Sequence, residues 1–320
     1  MPDPKARLKL GANCWNQYSD WPSFLAAQQR ADQLGYDSIW TWDHLYPIVG
    51  SADGPIFEGY MAMAAVATKT SRATVGLMVG ANTFRNPALV AKMVTTLDHI
   101  SGGRAILGIG AAWFETEHFA FGMPFGNSPG ERLRWLADAL PIIHGMLDGT
   151  RPTAGEGSRY AAEAVLNLPP PSQPHVPILV GGSGLKVTLR LVAEYADACN
   201  IGGSAAGLAE KEAALLAHCR AVGRDETQIE RTAGMGTPLI RDSAAEAKAA
   251  LADIFAANGR ARVWVDQPVG TVDQVVDHCA AYVEQGYRHL IFGFPSPYDE
   301  ETMTRLASEV RPRLEALITA

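Results

Sequence analysis

This sequence has few basic residues relative to its acidic ones. Its 320 residues include 27 Lys and Arg against 34 Asp and Glu, which gives a formal net charge of −7 at pH 7. The like charges form no block along the chain. A protein whose main partner is nucleic acid or an anionic membrane surface needs a basic face. The composition therefore argues against both kinds of partner.

Cysteine is also scarce, with four widely scattered residues whose spacing matches no metal site and no disulfide framework. No apolar run is long enough to cross a bilayer, and no signal-peptide pattern opens the sequence. We therefore expect a reduced, cytoplasmic protein without a metal ion. Hydrophobic residues make up 47% of the chain, which is ordinary for a globular protein with a sizeable core.

Short apolar runs alternate along the chain with longer segments of helical period. The eight runs are nearly continuous in apolar residues, as expected of strands buried on both faces; they span 8–13, 37–42, 74–81, 104–111, 177–182, 197–203, 230–240 and 289–295. Eight strand–helix units predict one (β/α)8 TIM-like barrel domain over residues 1–320, since such barrels usually take ~250 residues before insertions. The surplus predicts insertions at about 150–176 and 241–270. A doubly wound sheet would show fewer strands and a second domain.

The ends of the predicted strands carry the candidate site residues, because barrel enzymes place their active sites there. In "SIWTWDHLYP", Asp43 and His44 follow the second strand and are expected to point into the barrel mouth. The alternative is that Asp43 caps a turn and His44 lies on the surface. The third strand ends in Gly80 and Ala81, small residues that let a flat ligand approach the backbone.

The fourth and fifth strand ends show two further patterns. Gly110, Ala111 and Ala112 precede an aromatic-rich segment at about 113–130, which we predict to be a lid-like loop unless its phenylalanines simply cover the mouth. The stretch "LVGGSGLKVTLRL" leaves a strand and opens a helix, so its backbone N–H groups can meet a phosphate; the alternative is a plain tight turn. The residues of this turn are Gly181, Gly182, Ser183 and Gly184.

Four stretches together resemble the bacterial luciferase-like superfamily, in the branch of oxidoreductases that use the deazaflavin coenzyme F420. They run in family order over about the first two thirds of the chain: "WDHLYP", "TFRNPALVAKMVTTLDHISGGRAILGIGAAWFETEH", "GERLRWLADALPIIHGML" and "PILVGGSGLKVTLRLVAEYADACN". The resemblance implies a TIM-like barrel with the coenzyme across its mouth. It also implies a homodimer, joined through the helices that follow the early strands.

The resemblance assigns roles to particular positions. A non-prolyl cis peptide, expected at Met78–Val79, would back the tricyclic ring, and the "GGSG" turn would hold the phosphate. Asp43 would bond the coenzyme near its reactive edge, and His44 would face the substrate. We expect His44 to act as general acid or base, because the unperturbed pKa of histidine lies nearest neutrality.

One position departs from the family pattern. Where the sugar-phosphate dehydrogenases of the superfamily carry a proton-donating glutamate, this sequence has Trp113, which puts sugar-phosphate oxidation in doubt. Glu115 and Glu117 follow closely, but a solvated helix start is the role we expect for them. Trp113, together with Trp15 and Tyr46, is predicted to wall a pocket for an apolar or aromatic substrate.

The sequence thus predicts hydride transfer between coenzyme F420 and a small organic substrate, by reduction of C=C, C=N or C=O or by oxidation of an alcohol. An FMN-dependent monooxygenase that uses reduced flavin and oxygen is the alternative. A non-catalytic barrel that only binds coenzyme is a second alternative, since a fold can persist without its chemistry.

Overall fold

Parallel strands form the centre of the molecule in the computed structural model, which describes residues 7–202, 204–260 and 267–319. Nine strand segments of these described ranges join in one sheet, in the order β3-β2-β1-β11-β8-β7-β6-β5-β4, and two more form a small separate pair, β9 and β10. The strands are β1 (Lys9–Cys14), β2 (Ser38–Thr41), β3 (Thr74–Leu77), β4 (Gly80–Ala81), β5 (Leu107–Gly110), β6 (Ile178–Gly181), β7 (Ala198–Ile201), β8 (Glu230–Gly234), β9 (Leu239–Ile240), β10 (Val269–Gly270) and β11 (His289–Phe294).

The two ends of this sheet meet, which makes it a barrel. β3 and β4 are halves of one strand interrupted at Met78–Val79, whose peptide bond is cis, as the family resemblance predicted. β4 pairs with β5, while the first half of the same strand reaches the chain just before β5: Val75 N–H donates to the Arg104 carbonyl (2.9 Å), and Ile106 N–H donates to the Val75 carbonyl (3.0 Å). Nine segments therefore occupy eight barrel positions. The predicted TIM-like barrel is confirmed.

Helices surround the barrel, and local sequence signals fix where they begin and end. In the third of them, the Asn86 side chain accepts the Ala88 N–H at 2.9 Å, Pro87 takes the first position, and Gly102 ends the helix at φ +69°. The helices are α1 (Trp21–Gln33), α2 (Gly59–Ala67), α3 (Pro87–Ser101), α4 (Glu115–Ala120), α5 (Pro129–Leu147), α6 (Thr188–Tyr195), α7 (Leu208–Val222), α8 (Ala244–Ala257), α9 (Val272–Val283), α10 (Glu300–Arg305) and α11 (Arg311–Thr319). None of the described helices is long and apolar enough to span a membrane.

The predicted insertions differ in character. Residues 150–176 form neither helix nor strand, whereas 241–270 contain α8 and β10, with residues 261–266 outside the described ranges. The predicted lid-like loop at 113–130 is not all loop either, because it contains α4 and the start of α5. A one-turn helix such as α4 has too few residues to show a periodic face in the sequence.

Strand side chains alternate between two cores. The outward set packs under the helices, and the inward set fills the barrel with Trp40, Leu179, Ala198 and Ile291. Side chains therefore fill the middle layer of the barrel, and a cavity lies near the carboxyl ends of its strands. Gly108 contributes to this arrangement, because a Cβ at that position would overlap the Leu77 carbonyl oxygen.

A polar chain closes the opposite, amino-terminal end of the barrel. Lys9 Nζ lies 2.8 Å from Glu230 Oε1, and His289 Nε2 lies 2.7 Å from Ser38 Oγ, which also accepts the Trp40 indole N–H at 2.7 Å. Burial alone would raise the pKa of Glu230, but the His289 imidazole and the Lys9 ammonium outweigh it and lower that pKa to about 2. These groups lie at the end of the barrel away from the candidate site.

Candidate active site

A cavity of about 390 Å³ opens at the carboxyl ends of the strands. Its size falls in the range of ~300–1,000 Å³ that small-molecule and cofactor sites usually have. Residues that follow β2, the interrupted third strand, β5, β6 and β7 line it, as do residues of the 113–130 segment. The position is the one that the barrel fold predicts for an active site.

The floor of the cavity is made of small residues. Met78, Val79, Gly80 and Ala81 line one part of it, and Gly110, Ala111, Ala112 and Gly181 line the next. A Cβ at Gly110 would stand 3.0 Å from Val79 Cγ2, and one at Gly181 would stand 2.9 Å from the same atom, so the Val79 side chain occupies the space that these glycines leave. A surface formed by backbone and short side chains is flat enough to support a planar ring.

Asp43 lies at the edge of this floor in an ion pair with Arg85. The Asp43 Oδ2 atom accepts from the Ala81 N–H (2.8 Å) and from Arg85 Nη1 (2.7 Å), and its Oδ1 accepts from Arg85 Nη2 (2.9 Å). Arg85 also donates to Glu58 Oε1 at 2.6 Å. Burial alone would lower the pKa of Arg85, but the two carboxylates, Asp43 above all, raise it. Asp43 is therefore held as a hydrogen-bond acceptor at the cavity wall.

His44, the next residue, lines the cavity and pairs with a carboxylate from α4. Its Nδ1 lies 2.9 Å from Glu117 Oε1, and the Glu117 Oε2 atom accepts from the Leu45 N–H (2.8 Å) and more weakly from the Tyr46 N–H (3.4 Å). Among the described residues, no hydrogen-bond partner is found for His44 Nε2. The imidazole is thus anchored through one nitrogen, and the other remains available to a ligand.

The expectation that Glu117 begins a solvated helix was wrong. The Glu117 side chain is 1% exposed, whereas Glu115, two positions earlier, is exposed. Residues two apart on an α-helix point about 200° away from each other, so one of the two must face inward once α4 packs on the barrel. No periodic pattern distinguishes the two positions, because α4 has only six residues.

Neither Arg85 nor His118 was predicted to be a site residue. Arg85 stood in the family-like stretch "TFRNP", which was the only signal for it. His118 is fully buried, with Nδ1 2.7 Å from the Phe114 carbonyl and Nε2 2.6 Å from Thr83 Oγ1. Burial lowers the pKa of His118, which favours the neutral ring. The side chain anchors α4 to the loop that follows β4.

Aromatic residues form the wall on the His44 side of the cavity. Trp42 and Trp113 both line it, and the Trp113 ring, 62% exposed, lies 5.6 Å from the His44 ring. Trp15 does not line the cavity as predicted: it is 3% exposed and packs behind Trp42, with ring centroids 4.6 Å apart. Tyr46 is not among the lining residues either, because its ring packs on Phe121 at 5.7 Å.

The glycine-rich turn follows β6 and contributes residues to the lining of the cavity. Gly181 and Gly182 line it, and Gly182 has φ +123°, a backbone conformation that favours glycine. Ser183 and Gly184 are not among the lining residues, because three turn residues at 185–187 separate them from the start of α6. Instead, the first residue of α6, Thr188, lines the cavity.

Asn200 on β7 also lines the cavity and was not predicted. The Nδ2 atom of the Asn200 side chain donates to Thr232 Oγ1 at 2.9 Å, and the side-chain oxygen Oδ1 remains available as an acceptor. Among the described residues, no group of three or more His, Cys, Asp or Glu is placed to hold a metal ion.

A parallel barrel with a lined cavity at the carboxyl ends of its strands is the arrangement of TIM-barrel enzymes. Residues 10–267 match the family model of the luciferase-like monooxygenases, and the chain belongs to that family. The predicted resemblance to the luciferase-like superfamily is therefore confirmed.

Three proteins illustrate the range of similar chains. An F420-dependent glucose-6-phosphate dehydrogenase of Kineococcus radiotolerans is 31% identical over 317 residues, which cover 89% of this chain and 90% of that protein. An F420-dependent secondary alcohol dehydrogenase, solved with an F420-acetone adduct, superposes with a TM-score of 0.83 at 18% identity, covering 96% of this chain and 99% of that one. The monooxygenase RslO1 from Streptomyces bottropensis gives 0.79 at 18% identity with the same coverage. At such identities the two solved structures bear on the fold alone.

Proposed function

We propose that this protein is an oxidoreductase that transfers a hydride between coenzyme F420 and an uncharged organic substrate, interconverting an alcohol with a carbonyl compound or reducing a related C=C or C=N bond. The observation that carries the proposal is the combination of a flat floor of small residues with a carboxylate-anchored histidine at its edge. The F420-dependent relative of similar length adds support for the choice of coenzyme.

The residues of the cavity fit a planar ring with a phosphate-bearing side chain. The floor around Val79 and Gly80 would lie against the ring, and the Asp43 carboxylate would accept a hydrogen bond at its edge. The backbone at Gly181 and Gly182 and the start of α6 at Thr188 would face the phosphate, because N–H groups at a helix start favour an anion. When bound, coenzyme F420 supplies hydride transfer at its deazaflavin ring.

His44 is the group that we propose to move the proton. In alcohol oxidation its Nε2 takes the hydroxyl proton while the carbon gives up its hydride, and in carbonyl reduction the same atom returns the proton to the oxygen. The Trp113 ring lines the cavity beside the His44 imidazole, with the two ring centroids 5.6 Å apart. A histidine serves either direction, since its unperturbed pKa lies near neutrality.

The charge of the cavity argues for an uncharged substrate. The described residues that line it include no Lys and no Arg. A sugar phosphate brings a dianion that a binding site must compensate with cations or N–H donors. Trp42, Ile48 and Trp113 offer apolar surface instead. We therefore propose that the substrate differs from the one in the name of the Kineococcus relative.

Direct titration tests the coenzyme. Purified protein is titrated with coenzyme F420 and separately with FMN, following fluorescence, and each loaded form is then assayed with neutral secondary alcohols, their ketones and glucose 6-phosphate. We expect tight binding of F420 and turnover of the neutral compounds. Preference for FMN, with oxygen uptake, would instead establish the monooxygenase alternative that the family model's description favours. Turnover of glucose 6-phosphate alone would refute the proposed substrate class.

Replacing His44 tests its role. His44→Asn should lower turnover strongly while F420 binds with near-normal affinity. His144→Asn is the matched control, because that side chain lies on α5 and is paired with Asp148 at 3.1 Å, away from the cavity. A His44→Asn protein as active as wild type would remove His44 from the mechanism. A wild-type protein that binds F420 but turns over none of the compounds would support the non-catalytic alternative.

We also propose a homodimer joined through α2 and α3. Met61 on α2 is 73% exposed and Leu89 on α3 is 52% exposed, and such apolar side chains are commonly covered in an interface. Sedimentation velocity would test this, and a monomer at micromolar concentration would contradict it.

A further inference from the structure

Glu117, which was expected to lie at a solvated helix start, makes contacts on both of its carboxylate oxygens. One oxygen meets His44 Nδ1 at 2.9 Å, and the other accepts from the Leu45 backbone N–H at 2.8 Å. The two side chains stand 73 residues apart in the chain, and Glu117 reaches His44 from α4 of the 113–130 segment. With its side chain 1% exposed, the carboxylate has no competing water shell.

We infer that Glu117 is a positioning residue for His44, whose carboxylate fixes the imidazole in the tautomer protonated at Nδ1 and so leaves Nε2 as the atom that exchanges the proton. A backbone N–H can only donate, so Glu117 Oε2, which faces the Leu45 N–H, must accept. Between Glu117 Oε1 and His44 Nδ1 there is one proton, and a carboxylic acid is a stronger acid than an imidazolium, so this proton belongs to Nδ1 and Oε1 accepts it.

This arrangement matters for catalysis because it also stabilises the protonated ring. When Nε2 takes a proton, the imidazolium charge lies next to the Glu117 carboxylate, in a place where little water screens the attraction. The same logic applies wherever a carboxylate orients a catalytic histidine. The catalytic part of the inference rests on the proposed function, whereas the tautomer of His44 does not.

The substitution Glu117→Gln tests the inference because it keeps the shape of the side chain. The amide carbonyl must turn towards the Leu45 N–H, since that group needs an acceptor, and the amide NH₂ then faces His44 Nδ1. Nδ1 becomes an acceptor, and the proton must move to Nε2. Glu115→Gln is the matched control, because Glu115 lies on the same helix but is exposed.

The first readout is the tautomer itself. Long-range proton–nitrogen correlation spectra of protein with ¹⁵N-labelled histidine report which ring nitrogen carries the proton, and the signals missing from His44→Asn identify His44 among the eight histidines. We expect the Nδ1–H form of His44 in the wild type and in the control Glu115→Gln. In Glu117→Gln we expect the Nε2–H form. An Nε2–H form in the wild type would overturn the inference, even if the variant failed to fold.

The second readout is kinetic. Glu117→Gln should lower kcat by about 10⁴-fold, the loss that the wrong histidine tautomer causes in the serine-protease triad, while KM and the F420 affinity change by about twofold at most. Loss of F420 affinity without a tautomer change would indicate a merely structural role and overturn the inference. A switched tautomer with wild-type kcat would overturn its catalytic part. Failure of the wild type to bind F420 would count against the proposed function and leave the tautomer test decisive.

Discussion

Replacing Arg85 with methionine is expected to lower the free energy of unfolding by about 3 kcal/mol. The Asp43 side chain is 1% exposed and receives two hydrogen bonds from the Arg85 guanidinium, at 2.7 and 2.9 Å. Removing one partner of a buried pair costs roughly 3–5 kcal/mol because the other charge stays buried. The lower end applies here, since the Ala81 N–H continues to bond Asp43.

Urea denaturation of the coenzyme-free protein measures this change. The loss of stability is expected because the buried Asp43 carboxylate no longer has a cationic partner. A double-mutant cycle with Asp43→Asn should therefore give a coupling free energy of about 2 kcal/mol, as residues in direct contact commonly do. Arg134→Met is the matched control: its side chain is 67% exposed and its ion pair with Glu131 is a 3.4 Å contact within one helix, so we expect no measurable change. Additive effects at Arg85 and Asp43, or a loss below about 1 kcal/mol at Arg85, would refute the reasoning.

Three further changes give distinct outcomes. Trp113→Ala should raise KM for apolar substrates by about tenfold because an apolar contact is lost, while the F420 affinity is retained. Phe119→Ala is the control and should leave the steady-state kinetics unchanged, because Phe119 is 70% exposed and does not line the cavity. Folding lowers the pKa of Glu230 from 4.5 to about 2, so the folded protein binds fewer protons there than the unfolded one. The free energy of unfolding, measured by urea denaturation, should therefore be greatest above about pH 5 and decrease towards pH 2. In Glu230→Gln this decrease should be less steep. Gly108→Ala should lower the melting temperature markedly in calorimetry, because the new Cβ meets the Leu77 carbonyl oxygen, and an unchanged value would show that the strands can separate there.

The barrel and the cavity floor were predictable from the sequence because both depend on local patterns. Buried strands show as continuous apolar runs, and the small residues at Gly80, Ala81, Gly110 and Ala111 mark strand ends that a ligand can approach. The place of Asp43 and His44 in the cavity lining was predictable for the same reason, since both residues follow β2.

The partners of those two residues were not predictable in this way. Arg85 lies 42 positions from Asp43, and Glu117 lies 73 positions from His44, so only the closed barrel brings them together. Trp15 was misplaced for a related reason. A tryptophan at a strand end gives the same signal whether it faces the cavity or packs behind another ring, and the choice depends on Trp42, which arrives from the neighbouring strand.

The division of the cavity into a floor and walls has a consequence for how such a protein can change. The floor consists of backbone and of glycines whose missing Cβ atoms make room for Val79, so a larger residue at Gly110 or Gly181 would crowd the Val79 side chain. The walls consist of the side chains of Trp42, Ile48 and Trp113, which follow the strands and can be exchanged without moving them. Among related chains we therefore expect few amino-acid substitutions at the floor positions and many at the wall positions. Libraries randomised at those three wall positions offer the shorter route to new substrate ranges.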